Sequence, residues 1–183
     1  MTPTRQEELR DALRRAASAL KRDGPPFALA GSYAFWAFGA PEPTNDVDLA
    51  VAETDAELAA ATLAGAGFDV ERTPEDWLLK AHTGPVTVDV LHRLNGRPVD
   101  AALLGRAVEQ EVLAIRMPVL APTDILTVKL QSLSEHHCDF AALLPAVRAV
   151  REQLDWRRLR RDTADNDFAV AFLVLADRLG LCG

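Results

Sequence analysis

Cysteine is almost absent: Cys138 and Cys182 are the only two in 183 residues. Two thiols supply neither a disulfide framework nor a zinc ligand set, so the chain suits a reducing compartment. Long apolar runs are missing too. No stretch approaches 18 uninterrupted apolar residues, which argues against a membrane-spanning helix. The opening MTPTRQEELRDALRRAASAL lacks the apolar segment of a signal peptide, so the expectation is a soluble, cytoplasmic protein. Positive charge is in deficit, with 20 Lys and Arg against 27 Asp and Glu for a net −7. A general polyanion binder is therefore disfavoured, although a local basic patch is not. What the chain does have is 49% hydrophobic residues, enough for an ordinary buried core in one domain with or without an extension.

Leu9, Leu13, Ala16, Ala17 and Leu20 recur at helical spacing, and Asp23-Gly24-Pro25-Pro26 stops that helix. A short buried strand over 27–30 runs into Gly31-Ser32, which opens a small-residue helix over 33–38. The turn-rich loop 41–45 feeds an alternating strand over 46–51. Thr54 with Glu57 reads as a capping box for a helix reaching about 64. A strand near 68–71 and a hairpin of 77–82 with 86–91 follow, turning at Thr83-Gly84. A weaker helix over 99–108 leads to strands over 111–116 and 117–120, and then only helices, at 122–135, 139–152, 155–162 and 166–179. The expected fold is α+β with an α/β-like core over 1–121 and a C-terminal helical extension, 122–183, packed on it.

Side chains alternate along a strand. Val47, Leu49 and Val51 share one face, which leaves Asp46 and Asp48 on the other. Val86, Val88 and Val90 likewise leave Asp89 opposite. If the two strands are neighbours, three carboxylates meet above one sheet face. Like charges at short range resist joint ionisation. A divalent cation resolves that conflict, and oxygen-only donors favour magnesium or manganese. Alone, the Asp-x-Asp pair also suits a solvated strand end, and Gly31-Ser32 a tight turn with Ser32 as helix cap. Yet a strand ending in Gly-Ser at a helix start also offers free N–H groups, a hydroxyl and a positive dipole end for phosphate. Gly-Ser followed 14 residues later by Asp-x-Asp is more specific than either half.

At this point the sequence resembles the DNA polymerase beta-like nucleotidyltransferase superfamily. The resemblance spans roughly residues 25–92 and rests on Gly31-Ser32, Asp46-Val47-Asp48 and Asp89 within VTVDV. It implies a mixed sheet with flanking helices, binding of a nucleoside triphosphate and magnesium, and transfer of a nucleoside monophosphate with pyrophosphate release. It also implies that Asp46 and Asp48 bind both metals while Asp89 helps deprotonate the acceptor hydroxyl. Where relatives often carry an arginine before Asp-x-Asp, this chain has Pro41-Glu42-Pro43.

Thr123 reads as the N-cap of a helix carrying Lys129, and Asp139 opens or precedes the next helix. This segment resembles AbiE-type and MenT-type nucleotidyltransferase toxins. The resemblance implies that Lys129 neutralises triphosphate charge and that Asp139 orients it or a substrate group. It further implies tRNA as an acceptor and an antitoxin protein as a partner. Thr44, two residues before Asp46, matches a hydroxyl position of that group; phosphorylation there would block the site, and the plain alternative is a loop threonine bonding its own backbone. Adjacent His136 and His137 diverge on a helix and do not suit one zinc ion. Arg148, Arg151, Arg157, Arg158, Arg160 and Arg161 against Glu152 and Asp155 leave the tail net +4, either an RNA-contacting face or a solvated one. Trp36, Trp77 and Trp156 read as packing residues rather than base-stacking platforms. Three function classes follow: transfer to a macromolecule such as tRNA, transfer to a small molecule as in antibiotic-modifying relatives, and nucleotide or partner binding without catalysis.

Overall fold

The structure, a computed structural model, describes residues 3–182. Its first element, α1 (Arg5–Asp23), is closed by a capping box in which Thr4 and Glu7 satisfy each other's backbone N–H groups. Its apolar stripe, Leu9, Leu13, Ala16, Ala17 and Leu20, is fully buried. Then come β1 (Phe27–Ala30), α2 (Gly31–Ala37), β2 (Val47–Val51), α3 (Ala56–Gly65) and β3 (Asp69–Arg72). The hairpin β4 (Leu78–Thr83) and β5 (Val86–Leu91) follows, then a miniature one, β6 (Arg93–Leu94) and β7 (Arg97–Pro98). After the short α4 (Ala101–Leu104), β8 (Val108–Val112) and β9 (Ile115–Val119) complete the strands. The rest is helical: α5 (Pro122–Gln131), α6 (Phe140–Val150), α7 (Trp156–Asp162) and α8 (Asp167–Arg178).

Seven strands form one mixed sheet in the order β3-β4-β5-β2-β1-β9-β8. The β2–β5 and β1–β9 pairs are parallel, and the others are antiparallel. The fold is thus α+β, as the strand and helix patterns predict. Helices α1 and α3 pack on one another and on the sheet, while α2 packs against β1, β2, α5 and α6. One continuous set of buried side chains runs from α1 through the strands into α5, α7 and α8.

Several local expectations give way to tertiary partners. No capping box forms at Thr54: α3 starts at Ala56 after a 3-10 turn, and Glu57 pairs with Arg72 of β3 at 2.6 Å. Thr123 is not an N-cap. Pro122 sets the start of α5 with Ala121 before it, and the Thr123 hydroxyl accepts from the Asp155 N–H at 2.9 Å. The helix over 99–108 shrinks to α4 because Val99 donates to the His92 carbonyl and Val108 already begins β8.

Candidate active site

The β1–α2 turn fixes the first component. Gly31 sits at φ +59°, a left-handed conformation that glycine enters at little cost. A Cβ added there would lie 1.8 Å from Asp48 Oδ2, so the backbone turns directly over that carboxylate. Ser32 is not the helix cap, since Ala30 holds that position. Its hydroxyl is free to accept from Lys129 Nζ at 3.3 Å.

The second component is a pair of acids brought together by strand register. β2 and β5 run parallel with Asp48 opposite Asp89, so both side chains leave the same sheet face. Burial first, and then the charges of Asp89 and Asp46, push the Asp48 carboxyl up to about 7, while Lys129 and Lys80 pull it down. Asp89 is also raised, mainly by burial, against the hydrogen bond it accepts from Lys80 Nζ at 3.1 Å. Burial lowers Lys129, and Asp48 opposes that shift. Asp46 lies just ahead of β2, exposed to solvent, rather than within the strand. Its charge still raises both partners.

These groups line one cavity of about 490 Å³ between the sheet face and α5. Gly31, Asp48, Asp89 and Lys129 lie on its wall with Trp77, Leu91, Leu94 and Val128. Its volume falls within the roughly 300–1,000 Å³ typical of small-molecule sites. A second hollow of about 380 Å³ shares Lys129 with it and is lined by Ser32, Thr44, Asn45 and α6. Thr44 is exposed, its hydroxyl 3.5 Å from Asn45 Oδ1. Asp139 lines neither space: it caps α6 by accepting from the Ala142 N–H at 3.0 Å. The structure therefore gathers Gly31, Ser32, Asp48, Asp89 and Lys129, keeps Asp46 at the edge, and leaves Asp139 outside.

Among the described residues, no group of three or more His, Cys, Asp and Glu side chains is gathered tightly enough to hold a metal ion. Asp46 stands off in solvent, and Lys80 occupies one side of Asp89. The donor chemistry of the inner pair nevertheless fits a hard divalent cation. It is oxygen-only, and burial, reinforced at Asp48 by the Asp89 charge, raises the proton affinity of both carboxyls, a cost that a bound cation would relieve.

One tryptophan stands differently from its sequence reading. Trp36 and Trp156 pack as expected, Trp36 edge-to-face on Tyr33 and Trp156 buried. Trp77 does not: it is 45% exposed and lines the cavity. Its position directly after the polar run Thr73-Pro74-Glu75-Asp76, at the mouth of a strand, was the available signal. Lys80 is the hydrogen-bond partner of Asp89. Glu42 grips Arg10 of α1, with Arg10 Nε donating at 2.7 Å, so an acid tethers the loop in which relatives carry an arginine.

A protein family described as nucleotidyl transferase of unknown function (DUF2204) matches residues 9–167. The chain belongs to this family. It is an enzyme of the nucleotidyltransferase class. No curated protein matches its sequence. Solved structures do match this nucleotidyltransferase in fold. ANT(2″)-Ia in complex with adenylyl-2″-tobramycin aligns with TM-score 0.65 at 13% identity, over 89% of this chain and 98% of that one. The solution structure of the antibiotic-resistance factor ANT(2″)-Ia gives 0.62 at 13%, over 93% and 96%. A Thermotoga maritima protein assigned as a nucleotidyltransferase gives 0.54 at 20%, over 67% and 83%. At these identities the likeness is one of fold. Among the described residues no helix is long and apolar enough to cross a membrane.

Proposed function

We propose that this nucleotidyltransferase moves a nucleoside monophosphate from a nucleoside triphosphate to the hydroxyl of a small acceptor, with magnesium or manganese held by Asp48 and Asp89 and reached by Asp46. The observation that carries this reading is the register that sets Asp48 beside Asp89 under the Gly31 turn. A divalent cation bound there supplies charge neutralisation and makes the attacking hydroxyl more acidic. Lys129 and Ser32 bind the triphosphate from the α2 and α5 sides, where positioning and charge stabilisation matter most. Asp89 accepts a hydrogen bond from the acceptor hydroxyl and aims its oxygen at the α-phosphorus. The new P–O bond forms as the α–β bridge breaks, pyrophosphate leaves, and the hydroxyl proton passes to Asp89 and on to solvent. Lys80, donating to Asp89, orients that carboxylate and opposes the rise that burial imposes on it.

A small acceptor fits better than tRNA because the arginine-rich tail is largely consumed by ion pairs. Arg158 is held by Asp124 and Asp162, Arg161 by Asp162, Arg160 by Asp177 and Arg151 by Glu152. The fold shared with ANT(2″)-Ia, whose structure holds adenylyl-2″-tobramycin, supports the same choice. The toxin-like reading, with tRNA as acceptor and an antitoxin as partner, leaned on Lys129 acting with Asp139. Lys129 reaches the cavity while Asp139 serves as a helix cap.

The test is incubation with each α-labelled nucleoside triphosphate, a divalent cation, and acceptor fractions containing small hydroxylated molecules, total RNA or protein. Cation-dependent label in the small-molecule fraction, absent when the label is on the γ-phosphate, is expected. Label confined to RNA would overturn the acceptor assignment, and no label in any fraction would overturn the transferase site.

A further inference from the structure

The 490 Å³ cavity has two chemically unlike ends. Asp48, Asp89 and Lys129 mark the charged end, beside the Gly31 turn. The other end lies where β4 begins and β5 ends: Trp77, Leu91 and Leu94 gather there, with Val128 held to the β6–β7 hairpin by Asn95. Arg93, the charged residue on that wall, is neutralised: its Nε donates to Glu53 at 2.6 Å, and its guanidinium lies 3.7 Å from Asp76. This end thus presents flat apolar surface without an unpaired charge, which suits a neutral planar ring and offers nothing to a polycation or a phosphate.

The apolar end is also held in place. The Trp77 carbonyl accepts from both the His92 and Arg93 N–H groups, at 3.0 and 3.2 Å, tying the residue to the end of β5. The β6–β7 hairpin turns through Asn95-Gly96 at φ 51° and 77°, the left-handed pair that closes a two-residue turn. The Asn95 side-chain amide then donates to the Val128 carbonyl at 2.8 Å, clamping the hairpin to α5. An exposed indole on a braced wall is not there to fill a core; the buried or half-buried Leu91, Leu94 and Val128 already do that.

We propose that this end seats the nucleobase of the nucleoside triphosphate, with the Trp77 indole as its stacking face and Leu94 and Val128 closing the slot. The inference rests on the reading of the charged end as the triphosphate site and adds which residue recognises the ring. A nucleotide has the same polarity as the cavity, a polyanion at one end and a planar heteroaromatic ring at the other. Stacking on an aromatic side chain tolerates every base, because each has a π-face. The enzyme should accordingly discriminate modestly among the four bases and strongly between a nucleoside triphosphate and bare triphosphate.

Equilibrium binding in the presence of magnesium, using the full chain, separates the two contributions. The probes are the four nucleoside triphosphates and inorganic tripolyphosphate, and the proteins are wild type, Trp77→Phe and Trp77→Ala. Wild type is expected to bind its best nucleotide about 5- to 100-fold more tightly than tripolyphosphate, the range that one stacked base supports. Trp77→Ala should remove most of that margin while leaving tripolyphosphate affinity unchanged, which also shows that the variant is folded. Trp77→Phe should keep most of it. In wild type, nucleotide binding should quench the indole fluorescence, and the quench should vanish in Trp77→Phe. A margin that survives Trp77→Ala, or a loss shared equally by both probes, overturns the nucleobase assignment alone. Wild type that binds neither probe overturns the transferase site together with it.

Discussion

The chain crowds like charges twice, and the two crowds meet opposite fates. In the tail, six arginines within 148–161 look in sequence like a basic face. In the fold, Asp124, Asp162, Asp177 and Glu152 take up four of them, and Arg148 and Arg157 remain exposed. Above the sheet, Asp48 and Asp89 sit in register with Asp46 near by; Lys80 answers Asp89, while Asp48 has no ion-pair partner among the described residues. Asp48 is driven up to about 7 even with two lysines in range. The lesson concerns compensation rather than count. A charge cluster answered by local partners is architecture, whereas one left unanswered in a cavity is available for a ligand.

The sharpest way to break the contrast is to remove charge from each crowd and compare. Asp48→Asn is expected to lower nucleotidyl transfer by about a thousandfold or more, since cation binding and phosphoryl orientation fail together. Its melting temperature should be unchanged or higher, because a buried charge is lost. Transfer of α-label and thermal unfolding on one preparation test both statements. Lys129→Met should reduce kcat/KM by about 10- to 100-fold, the worth of a hydrogen bond from a charged donor to the triphosphate. Steady-state kinetics over a range of nucleotide concentrations read that loss.

In the other crowd the effect should move from activity to stability. Asp124 is only 4% exposed and accepts from both Arg106 and Arg158. Asp124→Asn should destabilise the fold by about 2 kcal/mol, a value discounted because both arginines keep contact with water. Urea unfolding gives that number directly. The smallest effect belongs to Arg148→Ala with Arg157→Ala: stability within about 0.5 kcal/mol of wild type and no change in transfer. A large loss of transfer to RNA in that double variant would restore the basic face as a functional surface.

The parts of this molecule that sequence makes legible are those in which local pattern and chemistry agree. The alternation of valines with acids sets Asp48 and Asp89 each opposite the buried valines of its own strand, and the β2–β5 pairing brings them onto one sheet face; the glycine before Ser32 marks the close backbone approach to Asp48. The α1 stripe is equally plain. Legibility ends where a long-range partner decides. Glu57 is drawn to Arg72 rather than to a helix end, and Thr123 is claimed by Asp155 from a distant helix. Asp139 keeps the local role that its position before α6 offers, as a cap. Trp77 reads as a packing residue because three tryptophans look alike in a sequence; the polar run before it is a weak hint, and the fold shows that it faces a cavity. The arginine tail misleads for the same reason, since its counter-charges include Asp124 and Asp177, which lie outside the run.

Thermal unfolding from pH 4 to 8, with and without magnesium, on wild type and Asp48→Asn tests the buried Asp48 carboxyl at the centre of this account most directly. The folded Asp48 carboxyl binds its proton more tightly than the unfolded one, with a pKa raised from 3.8 to about 7. Its contribution is therefore fully present at acid pH and is lost as pH rises through that interval. Relative to Asp48→Asn, wild type should lose stability between about pH 4 and pH 7, and magnesium should restore it above neutrality only in wild type. Parallel pH profiles for the two proteins, with the same response to magnesium, would contradict the assignment of this pair as the cation-holding centre.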